Sequence, residues 1–438
     1  MIASIVAVGD ELLIGQVVNT NASWLGERLT ALGWTVHEQR VVGDDEAQLV
    51  EVFKQVSHRS NLTVICGGLG PTHDDRTRSA IASAFDAPLV FDNETWSTIQ
   101  ERFARRKRQA APTNRVQAYV PTGWRTISNA HGTAPGLSFE ERHSDDSIRL
   151  LVVLPGVPFE LKAMWTSVVE PHLLASIPTP AIVQKTILTA GIGESDLQVV
   201  LDGLEALVSN EVTLAFLPGT QGVRLRLTGR GESTDAAEQS VASLSAFIHS
   251  RARKFIYSEV AGDSLAAHVG RSLLHHGQTI ALAESCTGGG ISSALTDIPG
   301  ASAYVIGAVV AYCNSVKHQF LEVNSVDLDR HGAVSEPVAI QMAQSIRRQF
   351  DTTLGLSVTG IMGPGGGTPD KPVGTIWLAL AYDGGYQTKL LHLAHDRQTS
   401  KEITIAAALN LVRTYLDGLT NEVYQMSAST SRASDPNR

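Results

Sequence analysis

Only three cysteines, Cys66, Cys286 and Cys313, occur in 438 residues. Their number is odd and their spacing fits neither a disulfide framework nor a zinc ligand set, so a reducing, cytoplasmic setting is expected. A basic excess is also lacking. The formal charge is −9, which leaves no electrostatic footprint for nucleic acid or an anionic membrane. The one concentrated basic run, Arg102 to Arg108, reads as a solvated helix face or a local anion contact. The longest apolar stretch, 301–312, falls short of the ~20 residues that span a bilayer. The first residues carry no basic leader before Asp10 and Glu11, so they are read as a strand and not a signal peptide. What is present is an apolar fraction of 43% with 18% charged residues, the balance of packed cores and not of disorder. The length predicts two to four domains, without internal repeats.

Three sections follow from the patterning. Over 1–172, strands at 5–8, 35–40 and 62–66 alternate with helices at 20–32 and 47–56, which signals a mostly parallel sheet covered on both faces. A strand at 148–154, a turn at Pro155-Gly156-Val157-Pro158 and a helix ending near 172 close it, and Pro171, Pro178 and Pro180 punctuate a linker. Over 180–255 a β-α-β-β-α order is expected, and 222–230 alternates Val223, Leu225 and Leu227 against Arg224, Arg226 and Thr228. Over 262–420 a second α/β unit has strands at 279–283, 304–311, 354–359, 375–381 and 387–393, and a final helix over 399–416. The Ser-, Thr- and Asn-rich tail, 427–438, is expected to be disordered. The predicted class is α/β: two three-layer α/β/α domains joined by a small α+β domain.

Glycine turns at strand ends carry the chemistry. After the strand at 62–66 comes Gly67-Gly68-Leu69-Gly70-Pro71-Thr72-His73-Asp74-Asp75, opening a helix. Glycines admit a ligand close to the backbone, and the helix N-terminus favours anions. Two carboxylates there would hold a divalent cation bridging phosphates, or merely cap the helix. Asp10 and Glu11, Asn19-Thr20-Asn21, Gly132-Thr133-Ala134-Pro135-Gly136 and the turn at Gly156 bring more loops of this type towards the crevice beyond the strand ends.

In the last section, Ala283-Glu284-Ser285-Cys286-Thr287-Gly288-Gly289-Gly290 reads as strand, tight turn, helix. A hydroxyl there lies among N–H groups that can stabilise an oxyanion, aided by Thr287. Lys317, in Tyr312-Cys313-Asn314-Ser315-Val316-Lys317, could meet Ser285 as a desolvated neutral base. Cys286 is the stronger intrinsic nucleophile. It lacks a His–Asp or His–Asn pair, although His318 is near in sequence, and adjacent side chains on such a turn point in opposite directions. Ser285 is therefore favoured. Ser335 before Pro337 reads as a helix start. The dense turn Thr359-Gly360-Ile361-Met362-Gly363-Pro364-Gly365-Gly366-Gly367 suggests close approach to a phosphate.

Taken together, these motifs resemble the CinA family (competence/damage-inducible protein CinA) over residues 1 to about 420. The first section is similar to molybdopterin-binding, MoaB/MogA-like domains through Val8-Gly9-Asp10-Glu11, Asn19-Thr20-Asn21, Gly67 to Thr72 with Asp74-Asp75, Gly132 to Gly136 and Leu154 to Pro158. The last is similar to the nicotinamide-nucleotide amidase domain through Ala283 to Gly289, Tyr312 with Asn314 and Lys317, Gly332-Ala333-Val334-Ser335 and Thr359-Gly360. The middle section corresponds to a KH-like domain, without an evident GxxG loop, so RNA binding is not expected.

The resemblance implies deamidation of nicotinamide mononucleotide with Ser285 as nucleophile, Lys317 as base, and Thr287 and Tyr312 beside them. Gly288, Gly289, Asn314, Thr359, Gly360 and Arg397 fall on its substrate side, with no cofactor. For the first section it implies a metal-dependent ADP-ribose pyrophosphatase. Gly67, Gly68, Gly70, Thr72, Asn19, Asn21, Gly132 and Thr133 would hold substrate, and Asp10, Glu11, Asp74 and Asp75 would hold magnesium, manganese or cobalt. A homodimer is expected, and no membrane partner. Cys313 and Met362 depart from the family's usual serine and alanine, and Met362 is expected to crowd its glycine turn. The alternatives are a non-catalytic pterin- or nucleotide-binding module, or an accessory protein of DNA uptake or damage response.

Overall fold

The strand Ile2–Val8 is buried at every residue after Ile2, so both its faces must be covered. Ile5 and Ala7 pack on one side with Ala22, Leu25 and Leu29 of helix Thr20–Ala31 and with Leu161 and Met164 of helix Pro158–Met164. Val6 and Val8 pack on the other with Leu49 and Phe53 of Glu46–Ser57 and with Ala80 and Ile81 of Thr77–Ala84. These alternating contacts make three layers. The computed structural model describes residues 1–142, 148–176 and 181–418; Pro178 and Pro180 of the expected linker, and the expected disordered tail at 427–438, lie outside them.

The first sheet runs in the order Thr35–Val42, Ile2–Val8, Leu62–Cys66, Ile148–Leu154, Gly136–Arg142, Arg125–Ile127. The first four strands are parallel and the last two antiparallel. The antiparallel edge is absent from the sequence reading because its strands sit among turn residues without a clear period. Helix Asn93–Arg105 ends inside the basic run, where Arg102 donates to the Gly132 carbonyl. The run is a helix end with one internal contact.

By compactness the chain divides into Met1–Val183 with Arg230–Glu238, and Gln184–Gly229 with Gln239–Arg438. The small sheet has the order Val212–Gly219, Gly222–Gly231, Ala181–Thr189, Ile256–Ser258. The sequence does contain a Gly-x-x-Gly, Gly219-Thr220-Gln221-Gly222. It forms the two-residue tip of an antiparallel hairpin in which Gly219 faces Gly222.

The last sheet has the order Val305–Val310, Ile280–Glu284, Leu354–Gly360, Thr375–Tyr382, Gly385–His392. Its first three strands are parallel and its last two antiparallel. Residues of Leu265–His275, Gly290–Thr296 and Arg397–Leu416 fill one face, and Glu336–Gln349 covers the other. The buried Arg413 of the final helix donates to Asn410 Oδ1 at 2.9 Å and to the Lys254 carbonyl at 2.9 Å, fastening that helix to the end of the middle segment. Among the described residues no helix is long and apolar enough to cross a membrane.

Candidate functional site

Ile280–Glu284 lies between two parallel neighbours, so Ser285 emerges at the carboxyl end of the sheet, where α/β folds place their crevices. Helix Asn314–Leu321 follows the neighbouring strand and brings Lys317 back to that end. Lys317 Nζ donates to Ser285 Oγ at 2.8 Å and to the Ala311 carbonyl at 2.7 Å. Lys317 is only 2% exposed. Its burial pushes the ammonium pKa down, because a low-dielectric site disfavours the charged form.

Cys286 takes the other direction. It packs in the core with Ile291, Val358, Met362 and Ile376, and a Cβ on Gly360 would stand 3.1 Å from its sulfur. Burial pushes its thiol up to about 12. Gly360 is thus required by packing against Cys286 and Ile376. Met362 joins the same core and does not crowd the turn.

The structure changes the reading of Thr287. It is fully buried, and its hydroxyl donates to Glu284 Oε2 at 2.7 Å, so it serves the turn and does not face substrate. Gly288 and Gly289 hold positive φ values of 64° and 94°, which favour glycine. Thr359 is also buried, donating to the Ala333 carbonyl at 2.8 Å and tying the strand end to the Gly332–Ser335 loop. Ser335 flanks helix Glu336–Gln349, with Pro337 in its first turn. Tyr312 is exposed, and its hydroxyl accepts from Arg397 Nη2 at 2.8 Å while Arg397 Nη1 donates to the Gly363 carbonyl at 2.9 Å. Asn314 is exposed at the start of its helix, and Cys313 is exposed beside Ser315.

In the N-terminal unit the glycine turns converge. Gly67 donates to the Leu154 carbonyl at 3.0 Å, and a Cβ on Gly156 would stand 3.5 Å from Gly67 Cα. Asn21 Nδ2 donates to the Gly156 carbonyl at 2.6 Å, and its buried Oδ1 has no partner among the described residues. Asn19 caps helix Thr20–Ala31 by accepting from Ala22 N at 3.1 Å. Asp75 is an internal clasp: it accepts from Gly70 N at 2.8 Å, from Thr72 N at 2.9 Å and from the Thr72 hydroxyl. The Gly132 loop is held by Asn129, whose Oδ1 accepts from Gly132 N at 2.8 Å and whose Nδ2 donates to Glu160 at 2.7 Å. Thr133 is half-buried in that loop.

Asp10 lies against Asp44, each backbone N–H donating to the other's carboxylate at 3.1 and 3.2 Å. Burial raises the Asp44 pKa, and Asp10, Glu11 and Asp74 push it further. Asp44 thus lies within electrostatic reach of Asp10, Glu11 and Asp74.

Three family profiles match the chain. "CinA C-terminal domain" covers 262–416, "Probable molybdopterin binding domain" 4–175, and "Damage-inducible protein CinA KH domain" 184–258. A CinA-like protein of Salinibacter ruber is 41% identical over 414 residues, 94% of this chain and 99% of its own. The chain belongs to the CinA family. A CinA-like protein of Cytophaga hutchinsonii is 37% identical over 94% of this chain and 98% of its own. A crystal structure of the protein CinA from Thermoplasma acidophilum is 34% identical, covers 39% of this chain and 96% of that one, and gives a TM-score of 0.35.

On this CinA chain the acidic mouth tests the fit of a divalent cation. Carboxylate oxygens are the donors a hard cation prefers, and such a cation commonly takes one or two from protein and the rest from phosphate and water. Asp10, Glu11, Asp44 and Asp74 offer that type. Among the described residues no three carboxylate, imidazole or thiol groups already stand together as a cage. Asp75 belongs to the loop and leaves the ligand set.

Three residues escaped the sequence reading. Asp44 follows a strand end as an ordinary turn residue, and only the adjacency of Thr35–Val42 to Ile2–Val8 brings it to Asp10. Arg78, 3% exposed, donates to the Leu69 carbonyl at 2.8 Å beneath the glycine loop, with Nε and Nη2 unpartnered among the described residues. Burial lowers its pKa to about 10. Glu284 stood inside the Ser285 motif with no role given to it.

Proposed function

We propose that the C-terminal unit is a Ser–Lys amidase that converts nicotinamide mononucleotide into nicotinate mononucleotide and ammonia. The observation that carries this reading is the 2.8 Å contact from buried Lys317 to Ser285, with the competing thiol of Cys286 turned into the core. Neutral Lys317 takes the hydroxyl proton as Ser285 Oγ attacks the carboxamide carbon. The tetrahedral intermediate collapses, Lys317 returns the proton to the departing nitrogen, and ammonia leaves. Water, deprotonated by the same lysine, then opens the acyl-serine ester. Arg397 and Tyr312, joined at the rim, suit an anionic phosphate on the substrate. The test is incubation with nicotinamide mononucleotide, following ammonia and nicotinate mononucleotide in equal amounts. Neither product appearing from folded protein overturns the reading.

The N-terminal unit is proposed to cleave the pyrophosphate of ADP-ribose. A divalent ion held by one or two of the carboxylates Asp10, Glu11, Asp44 and Asp74, with substrate phosphate and water completing its shell, would polarise the phosphates. In the Gly67–Gly70 turn, where Leu154 and Asp75 take the Gly67 and Gly70 N–H groups, those of Gly68 and Leu69 would be offered to the same phosphates. A second reading, a nucleotide- or pterin-binding module without turnover, is supported by the match of residues 4–175 to the probable molybdopterin binding domain. Metal-dependent release of AMP from ADP-ribose separates the two.

A further inference from the structure

Glu284 ends the strand Ile280–Glu284 and has no exposure to solvent. Its Oε2 accepts from Thr287 Oγ1 at 2.7 Å, Gly289 N at 3.1 Å and Ile291 N at 3.0 Å. Its Oε1 accepts from Ser292 N and Ser292 Oγ, both at 2.7 Å. Five donors converging on one side chain suit an ionised carboxylate, which only accepts. Three of them are the N–H groups that open helix Gly290–Thr296. Such groups are commonly offered to a ligand; here an internal anion occupies them. The main-chain N–H groups of Cys286 and Thr287, by contrast, are given to no backbone carbonyl among the described residues.

We propose that Glu284 is the positioning residue of this site: its carboxylate locks the turn over 285–292, holding Ser285 Oγ against Lys317 and leaving the Cys286 and Thr287 N–H groups for the oxyanion. This rests on the reading of Ser285 as nucleophile. The carboxylate touches no reacting atom and acts through the backbone it fastens. Glutamine in its place would turn two amide hydrogens towards N–H and O–H donors, so one side of the turn must open. Displacements of that kind lower the rate of reaction far more than ground-state binding.

The test uses a serine-directed fluorophosphonate and needs no knowledge of the natural substrate. Ser285 Oγ attacks phosphorus, the P–F bond breaks, fluoride leaves, and Lys317 takes the hydroxyl proton. Peptide mapping locates the adduct, and kinact and KI are measured for wild type and Glu284→Gln, with Ser285→Ala as the blank and the unfolding midpoint of each recorded. The expected result is a fall of about 100-fold in kinact, with KI nearly unchanged. A folded Glu284→Gln protein labelled at the wild-type kinact overturns the proposal. Should that variant fail to fold, Thr287→Val removes one of the five donors at nearly constant shape. It is expected to lower kinact about tenfold, the effect of losing one hydrogen bond to a charged group, and an unchanged kinact overturns the proposal. Labelling at Ser285 without ammonia release from nicotinamide mononucleotide removes the substrate assignment alone. Absence of labelling in wild type removes the nucleophile and this role with it.

Discussion

Lys317 and Ser285 are 32 residues apart in sequence, and their Nζ and Oγ atoms are 2.8 Å apart in the fold. The Ala311 carbonyl accepts from the same nitrogen at 2.7 Å. The amine is thereby aimed while burial disfavours its charge. This is the arrangement a lysine needs to act as a base near neutrality.

The pH dependence follows from that direction. On the proposed mechanism the neutral form of Lys317 is the active one, and its pKa lies below the ordinary lysine value. The deamidation rate is therefore expected to rise with pH through the lowered value and to fall as pH drops below it. Lys317→Met is expected to lower kcat by about 10²- to 10⁴-fold. A rate profile flat on the acid side, or full activity in Lys317→Met, contradicts the assignment.

Thiol chemistry reports on the same turn. Cys313 is exposed, with its pKa lowered by the Ser315 hydroxyl, whereas burial pushes Cys66 and Cys286 up to about 12. Iodoacetamide is expected to modify Cys313 first and to spare the other two until the protein unfolds. Mass mapping of the native protein checks this, and early alkylation of Cys286 would contradict its place in the core.

Asp74 and Asp75 should separate. Asp75→Ala leaves the N–H groups of Gly70 and Thr72 without their acceptor, at a cost of about 0.5–1.5 kcal/mol for partly hydrated bonds of this kind. Its unfolding midpoint is expected to fall. Asp74 is exposed, so Asp74→Ala should leave the midpoint unchanged and raise the metal concentration needed for AMP release. The opposite pattern would return Asp75 to the ligand set.

Gly67 is predicted to be intolerant of alanine. Its φ is 111°, and a Cβ there would stand 2.3 Å from the Val8 carbonyl oxygen. Backbone strain alone costs about 1–3 kcal/mol, and the clash adds to it. Urea unfolding of Gly67→Ala measures the loss.

Much of the fold was legible because its strands are short apolar runs between helices of clear period. Ile280–Glu284 and Leu62–Cys66 are buried on both faces and appear in the sequence as apolar segments broken only by Glu284 and Thr63. Gly136–Arg142 was not legible, since Glu140, Glu141 and Arg142 fill its second half, beyond the reach of the short edge strand Arg125–Ile127. The candidate site divides in the same way. Ser285 and Lys317 were visible as chemical types at strand ends. Thr287 was misread because its partner, Glu284, lies inside the same motif, and no spacing rule shows which way a hydroxyl turns. Asp75 had the composition of a metal ligand, yet its oxygens close on Gly70 and Thr72. Asp44 became relevant only when two parallel strands set it beside Asp10.

The most direct measurement is ammonia release from nicotinamide mononucleotide by wild type, Ser285→Ala and Cys286→Ala, compared at equal folded concentration. The proposed function predicts turnover by wild type and Cys286→Ala, and none by Ser285→Ala. Loss in the cysteine variant with retention in the serine variant, or no release by folded wild type, would contradict the account.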